Sequence, residues 1–151
     1  MLCWTPHGKK QFSIIYFDDE AEEELISCLK DMNNADFGII KDNLGRLRRL
    51  QEKVYITLNK VNYELVPIEY IEKGIAVTKI YKHLVEKGHV KRDSIIERFA
   101  ELIYKVASDN GAHTPYENPD YPPTKYTVQA VTYALLDLLL WFKKVCDDKT
   151  I

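Results

Sequence analysis

The C-terminal quarter of the chain carries its most regular pattern of apolar residues. Over 18 residues the spacing alternates between three and four, at Val128, Val131, Leu135, Leu138, Phe142 and Val145. This spacing places the side chains on one face of an α-helix, which we expect to pack into a core. Four polar residues interrupt the stretch, so we do not interpret it as a membrane span. Thr124 is the predicted N-cap of this helix.

Weaker apolar patterns predict the helices that precede it. The first runs from Asp18-Asp19 to about Met32, with Asp19 and Glu22 as a capping box and an acidic first turn. The second has a stripe at Leu47, Leu50, Val54, Leu58 and Val61, and ends at Asn62 and Pro67. Residues 11–17 are β-branched and aromatic, which predicts a short strand or an extended arm.

Two further helices are expected between these. One covers 68–87 and faces the core with Ile71, Ile75, Ile80 and Leu84; Gly74 can split it, and Gly88 is its predicted C-cap. The other begins at a Ser94–Glu97 capping box, has its stripe at Ile95, Phe99, Leu102, Ile103 and Val106, and ends at Asn110-Gly111. The chain is therefore predicted to be an all-α bundle of four or five helices with antiparallel neighbours, in a single domain.

Composition excludes more functions than it selects. The 151 residues carry 21 basic and 23 acidic side chains, so no overall field attracts nucleic acid or an anionic membrane. Cys3, Cys28 and Cys146 are widely spaced and form no zinc motif, a usage that suits a reducing cytoplasm. The N-terminal residues lack the apolar core of a signal peptide, and we expect a cytoplasmic protein without metal or cofactor.

One segment combines the groups needed for acid–base chemistry on a phosphate. It spans residues 104–115, where a helix end containing Lys105, Ser108, Asp109 and Asn110 is followed by His113. Imidazole transfers protons near neutral pH, and the neighbouring polar groups can position a phosphate. Tyr116, Tyr121 and Tyr126 offer rings for base stacking. The plainer interpretation is an ordinary helix stop followed by a surface loop.

This order of elements resembles HEPN domains. The resemblance covers residues 66–146, and rests on a helix, the break Ser-Asp-Asn-Gly-Ala-His at 108–113, a proline-containing loop and an apolar final helix. It is closest to the C-terminal domains of abortive-infection proteins of bacteria and phage. It implies a dimeric helical bundle and, in many relatives, a metal-independent ribonuclease in which four to six residues separate an Arg from a following His. The chain then divides into an arm (1–18), N-terminal helices (19–65) and the HEPN-like core (66–146).

The resemblance assigns catalysis to His113, as general acid or base. At the positions of the family arginine this chain has Val106, Ala107 and Ser108, and Lys105 lies one position outside. Lys105 is therefore the substitute cation, although an ammonium lacks the planar fork of a guanidinium. The residues expected to line the site or to bind RNA are Arg98, Ser108, Asp109, Asn110, Tyr116 and Lys125.

Three functional hypotheses follow. The first is an HEPN-like module with a degenerate active site that forms a homodimer or binds a cognate protein. The second is an active ribonuclease, and the third is an unrelated helical interaction protein. Elsewhere, the acidic residues 18–24 are explained by the helix dipole. Arg46, Arg48, Arg49 and Lys53 predict a solvated face more than a nucleic-acid interface, and His83 and His89 are interpreted as ordinary surface residues.

Overall fold

A computed structural model describes the backbone of residues 2–4, 10–12, 16–108 and 122–150, and the side chains of residues 16–108 and 122–148. Within these ranges there are five α-helices: α1 (Asp19–Asp31), α2 (Phe37–Val61), α3 (Val77–Glu86), α4 (Ile95–Ala107) and α5 (Lys125–Thr150). A single 3-10 turn, Ile68–Tyr70, lies between α2 and α3. The predicted all-α bundle is confirmed.

A two-stranded hairpin precedes the helices. Strand β1 (Leu2–Trp4) pairs antiparallel with β2 (Lys10–Phe12), with Cys3 opposite Gln11. Of the strand predicted over 11–17, only Gln11 and Phe12 belong to β2, which begins at Lys10 and has a partner that the pattern did not reveal. Residues 13–15 lie outside the described residues, and Tyr16 and Phe17 are not in a strand. At the end of the predicted arm, Phe17 is buried and its ring centroid lies 5.5 Å from that of Phe142. The end of the arm thus packs on α5.

The first two helices begin at aspartate caps. The Asp18 side chain accepts a hydrogen bond from the Ala21 N–H at 2.8 Å, so the cap is Asp18 and the expected capping box at Asp19 was wrong by one residue. Asp36 caps α2 in the same way through Ile39, 3.1 Å away. The predicted stripe of α2 is confirmed, since Leu47, Leu50, Val54 and Leu58 are buried, but the helix begins earlier, at Phe37.

The segment predicted as a third helix is split, as Gly74 allowed. Gly74 has φ +106°, a left-handed conformation that favours glycine and separates the 3-10 turn from α3. At the other end Gly88 has φ +79°. The His89 N–H donates to the Leu84 carbonyl and the Gly88 N–H donates to that of Val85, a Schellman motif that confirms the predicted end of this helix.

The buried face of α4 differs from its predicted stripe. Ser94 caps the helix by accepting from the Glu97 N–H, but the Glu97 carboxylate accepts from the Asp93 N–H and not from Ser94. Ile95 (66% exposed) and Leu102 (38%) face outward, while Ala100, Ile103 and Ala107 are buried. Ala100 and Ala107 are small, so a neighbouring helix can pack closely on this face. A prediction based on large apolar residues does not detect such a face. The helix ends at Ala107; the predicted stop at Asn110-Gly111 lies outside the described residues.

Helices α4 and α5 pack against each other in antiparallel directions. The Tyr81 ring of α3 lies 6.1 Å from the ring of Trp141, which is late in α5. The negative charge of Glu97, early in α4, adds to the rise in the pKa of the Tyr81 hydroxyl. The start of α5 lies instead beside the α1–α2 turn, because the Gln129 amide donates to the Met32 carbonyl at 3.2 Å. The end of α4 and the start of α5 therefore lie at the same end of the bundle. None of the described helices has the length and apolar character needed to cross a membrane.

Candidate functional site

The predicted catalytic segment connects the adjacent ends of α4 and α5. His113, Asp109, Asn110 and Tyr116 lie outside the described residues. Of the other predicted site residues, Lys105 and Ser108 belong to the end of α4, and Lys125 is the first residue of α5. Antiparallel packing thus brings three of the four described candidates to one end of the bundle.

Lys105 and Ser108 differ in their surroundings. Lys105 is exposed in the last turn of α4, where a cation interacts favourably with the helix dipole. Ser108 is only 7% exposed, and its N–H donates to the carbonyls of Lys105 and Tyr104. Its Oγ has no hydrogen-bond partner among the described side chains and backbone groups. This end of α4 therefore presents one solvated ammonium next to a buried hydroxyl.

A threonine pair fixes the start of α5. The Thr124 N–H donates to Thr127 Oγ1 at 3.0 Å, and Thr124 Oγ1 accepts from the Tyr126 N–H at 3.2 Å. Thr124 is thus the cap that the sequence predicted. The adjacent Lys125 Nζ lies 5.2 Å from the centroid of the Tyr126 ring, within cation–π range.

Arg98 lies apart from the other candidates. It is seven residues before Lys105, so roughly 10 Å separates the two along the helix axis. Its guanidinium lies 3.3 Å from the Asp93 carboxylate, just before the start of α4. A role for Arg98 near Ser108 would require this ion pair to break and the side chain to extend along α4.

The basic cluster of α2 is neutralised by nearby carboxylates. The distances are 3.7 Å for Arg46–Asp31, 3.0 Å for Arg48–Glu52, 3.2 Å for Arg49–Glu24 and 3.5 Å for Lys53–Asp18. Three of these four partners belong to α1 or its cap. The hydrogen bond from Ala21 and the nearby Lys53 lower the pKa of Asp18. The acidic and basic clusters thus join α1 to α2, which fits neither a metal site nor a nucleic-acid interface.

A polar network crosses the core. The Gln51 amide donates to the Ala100 carbonyl at 2.8 Å and to the Tyr55 hydroxyl at 3.0 Å, and the Tyr55 hydroxyl donates to that of Tyr81 at 3.2 Å. All three side chains are buried, and burial raises the pKa of both tyrosines well above the usual value. The network joins α2, α3 and α4 without an opening to solvent, so its role is structural.

The described cysteines are poor nucleophiles. Burial raises the pKa of Cys28 to about 12 and the pKa of Cys146 to about 11, so the reactive thiolate is scarce at neutral pH. Among the described residues, no three histidine, cysteine or carboxylate side chains are placed to hold a metal ion.

The outer face of α5 forms a second stripe that the sequence analysis missed. Its members are exposed and spaced alternately by four and three: Tyr126, Ala130, Tyr133, Asp137, Leu140 and Lys144. We call this set the outer seam. It lies opposite the buried stripe on the same helix, and its large apolar members remain 66%, 58% and 43% exposed at Tyr126, Tyr133 and Leu140.

A cavity of about 620 Å³ lies between the α2–α3 connection and the end of α3. We call it the α3 cavity. Its apolar wall is Tyr63, Pro67 and Ile68, and its charged and imidazole groups are Glu64, Glu69, His83, Lys87 and His89. The sequence predicts His83 and His89 only as ordinary surface residues; both line this cavity, because the chain reverses at Gly88. A glycine directly after a predicted helix was the available signal.

Comparisons of the chain with protein-family models, with curated proteins and with solved structures gave no match.

Proposed function

We propose that this chain is an HEPN-like helical domain of a bacterial or phage defence or toxin-type system, a cytoplasmic dimerising module with a degenerate active site. The support is the order of elements: a long helix α4, the segment that contains His113, and a longer apolar helix α5. The buried thiols Cys28 and Cys146 are compatible with a reducing cytoplasm.

The proposal of a dimer depends on the exposed apolar side chains of the outer seam. A helix that is apolar on both sides needs a partner for each, and the bundle covers only the inner side of α5. Alternating spacings of four and three form the contact line of paired helices. The proposed partner is a second copy of the chain, because the seam can pair with itself.

An antiparallel arrangement around Tyr133 matches the seam best. With the two-fold axis beside Tyr133, the two Tyr133 rings face each other and Tyr126 of each copy faces Leu140 of the other. Each large apolar residue of the seam then meets an apolar partner. The interface is isologous, as expected for a closed dimer.

The degenerate site is supported by the side chains at the positions of the family arginine. Val106, Ala107 and Ser108 carry no cationic group, and Ala107 and Ser108 are also buried. Lys105, one position earlier, is the nearest exposed cation on α4. A flexible ammonium stabilises a phosphorane less specifically than a bidentate guanidinium does.

Sedimentation velocity over a range of concentrations tests the dimer. We expect the wild type to be dimeric, and Tyr133→Lys and Leu140→Lys to be monomeric with unchanged helix content. The matched control is Ile56→Lys, an exposed apolar residue on α2 that should leave the dimer intact. A monomeric wild type at all concentrations, or a dimer unaffected by Tyr133→Lys, would show that the proposal is wrong.

Cysteine cross-linking tests the register. In a Cys3→Ser background, Tyr133→Cys should form a disulfide across the two-fold axis, because facing positions on paired helices bring their Cα atoms within the required range. Lys144→Cys is also on the outer seam but lies away from the axis, and should not cross-link to itself. The reverse pattern would contradict the arrangement around Tyr133.

An active ribonuclease is the second candidate function, because the exposed Lys105 and the first residue of α5, Lys125, lie at the ends of the segment that contains His113. In that reaction the ribose 2′-hydroxyl attacks the adjacent phosphorus and the 5′-oxygen leaves with a proton, which gives a 2′,3′-cyclic phosphate. Cleavage in EDTA that is abolished by His113→Ala and weakened by Lys105→Ala, but not by Lys91→Ala, would replace the degenerate-site proposal. If no EDTA-insensitive cleavage occurs, or if it survives His113→Ala, the catalytic alternative is wrong.

A further inference from the structure

We propose that the α3 cavity binds a small zwitterion with an aromatic side chain, the chemistry of a free aromatic α-amino acid. The inference is independent of the HEPN-like proposal, since the cavity includes none of the residues assigned to that site. Its volume of about 620 Å³ is within the range of small-molecule sites.

The apolar wall suits a flat ring. Tyr63 is largely exposed at the mouth of the cavity, and the apolar surfaces of Pro67 and Ile68 lie in the same wall. Aromatic rings bind one another in offset-stacked or edge-to-face arrangements, which an exposed phenol ring can adopt without displacing neighbours. The ring of the ligand would cover apolar surface that is now in water.

A donor for a carboxylate lies at the end of α3. Lys87 supplies an ammonium, and His89 lies in the same wall. The His83 ring is held in place, because its Nε2–H donates to the Glu64 carbonyl at 2.7 Å and its edge meets the Tyr70 ring at 6.2 Å. With that N–H engaged, the uncharged ring presents Nδ1 as an acceptor, so we assign the carboxylate to the Lys87 ammonium, which can form charge-assisted hydrogen bonds.

Acceptors for an ammonium lie in the α2–α3 connection. Glu64 and Glu69 line the same cavity. These carboxylates would therefore repel a ligand that carries only negative charge. Lys87 would repel a ligand that carries only positive charge. A zwitterion satisfies both signs, which is how a mixed-charge wall gains specificity.

The cavity is formed before any ligand binds. Leu65 and Val66 are buried and anchor the connection, and the Asn59 amide donates to the Val66 carbonyl at 2.7 Å. The Schellman motif at Gly88 fixes the opposite wall. One wall is held by buried side chains and the Asn59 hydrogen bond and the other by backbone hydrogen bonds, so binding need not order a flexible segment.

Calorimetric titration with three related ligands tests the proposal. L-tryptophan has both charges, indole-3-propionate lacks the ammonium and tryptamine lacks the carboxylate. We expect tryptophan to bind at least about tenfold more tightly than either analogue, as each loses one charge-assisted contact. Absence of saturable binding up to about 5 mM tryptophan, or equal affinity for the three ligands, overturns the proposal.

Charge-neutral variants assign each group to its contact. Lys87→Gln should weaken tryptophan and indole-3-propionate but leave tryptamine unchanged, whereas Glu69→Gln should weaken tryptophan and tryptamine only. Both residues are exposed, and Lys91→Gln, an exposed lysine outside the cavity, is the matched control with no expected effect. Equal weakening of all three ligands by either variant, or an effect of the control, contradicts the assignment.

A separate readout locates the ligand. In NMR spectra, tryptophan should shift the imidazole signals of His83 and His89 but leave those of His7 and His113 unchanged. Tyr63→Ala should weaken all three ligands, and Tyr133→Ala, which removes an exposed ring on α5, should weaken none. Shifts confined to His113 would place the ligand elsewhere and overturn the proposal.

Discussion

Helices α1 and α2 pair charged side chains at the surface that they share, whereas α4 and α5 leave apolar side chains on the surface. Every basic residue of the α2 cluster has a carboxylate within 3.7 Å. The exposed large apolar residues of α2, Phe37 and Ile56, are 19 positions apart. By contrast, α5 exposes Tyr126, Tyr133 and Leu140 in one line, and α4 exposes Ile95 and Leu102 at the same seven-residue spacing.

The two surfaces differ in whether their side chains have partners within the chain. Ion pairs, three of them between α2 and α1 or its cap, neutralise a basic cluster that would otherwise attract polyanions. The outer seam of α5 leaves three large apolar side chains uncovered, at Tyr126, Tyr133 and Leu140, and exposed apolar side chains in one line are where a protein interface is expected. Both halves share one core, so the comparison can be tested by changes that affect one half at a time.

The largest expected effect comes from the inner side of α5. Phe142 is buried and packs on the rings of Tyr16, at 6.0 Å, and Phe17, at 5.5 Å. Phe142→Ala should lower the free energy of unfolding by about 3–5 kcal/mol, because it leaves a cavity in the core. Urea unfolding of dilute monomer measures the change. The control is Tyr133→Ala on the outer side, with an expected change within about 0.5 kcal/mol; a large effect there would mean that the seam is covered within the monomer.

The second effect concerns the link between the two halves. Gln51→Leu removes two buried hydrogen bonds, one to the Ala100 carbonyl and one to the Tyr55 hydroxyl. Because a buried hydrogen bond contributes about 0.5–1.5 kcal/mol, we expect a loss of about 1–3 kcal/mol in unfolding free energy. Gln129→Leu removes a half-buried amide that bonds to Met32 and Asn33 and should have a smaller effect. If Gln51→Leu were neutral, the network would not contribute to joining α2 to α4.

The sequence predicted those helix faces on which large apolar residues repeat at regular spacing. It located the inner stripe of α5 and the stripe of α2, and it missed the outer seam, because Tyr126, Ala130, Asp137 and Lys144 do not form an apolar pattern. It misjudged α4 since Ala100 and Ala107 contribute little hydrophobicity yet permit close packing. The order of helices along the chain led us to expect the candidate site between α4 and α5, whereas the α3 cavity depends on a chain reversal that apolar periodicity does not encode.

A third effect depends on pH and concerns the attachment of the arm to α5. The Lys143 ammonium and the Tyr16 hydroxyl both donate to the Asp147 carboxylate and lower its pKa. A lowered folded-state pKa adds stability above the ordinary carboxylate range, and this contribution is lost as the pH falls through the folded-state value. Asp147→Asn should therefore be less stable than wild type at neutral pH, and the difference should shrink below about pH 4.

Urea unfolding at a series of pH values measures this effect. Asp148→Asn, a change at the exposed neighbour, is the matched control and should show no such convergence. A stability difference for Asp147→Asn that stays constant down to pH 2 would mean that the loss comes from packing and not from the ionised carboxylate.

The smallest effect is expected where the surface carries most charge. A double-mutant cycle of Arg49→Gln and Glu24→Gln should give a coupling of about 0–1 kcal/mol that disappears in roughly 1 M salt, because the pair is solvated and screened. The ion pairs of α1 and α2 would then neutralise this surface without contributing much to folding. Glu24→Gln alone should release Arg49 and produce weak, salt-sensitive RNA binding that the double variant lacks. A coupling well above 1 kcal/mol that persists in high salt would instead make these pairs part of what holds the two helices together.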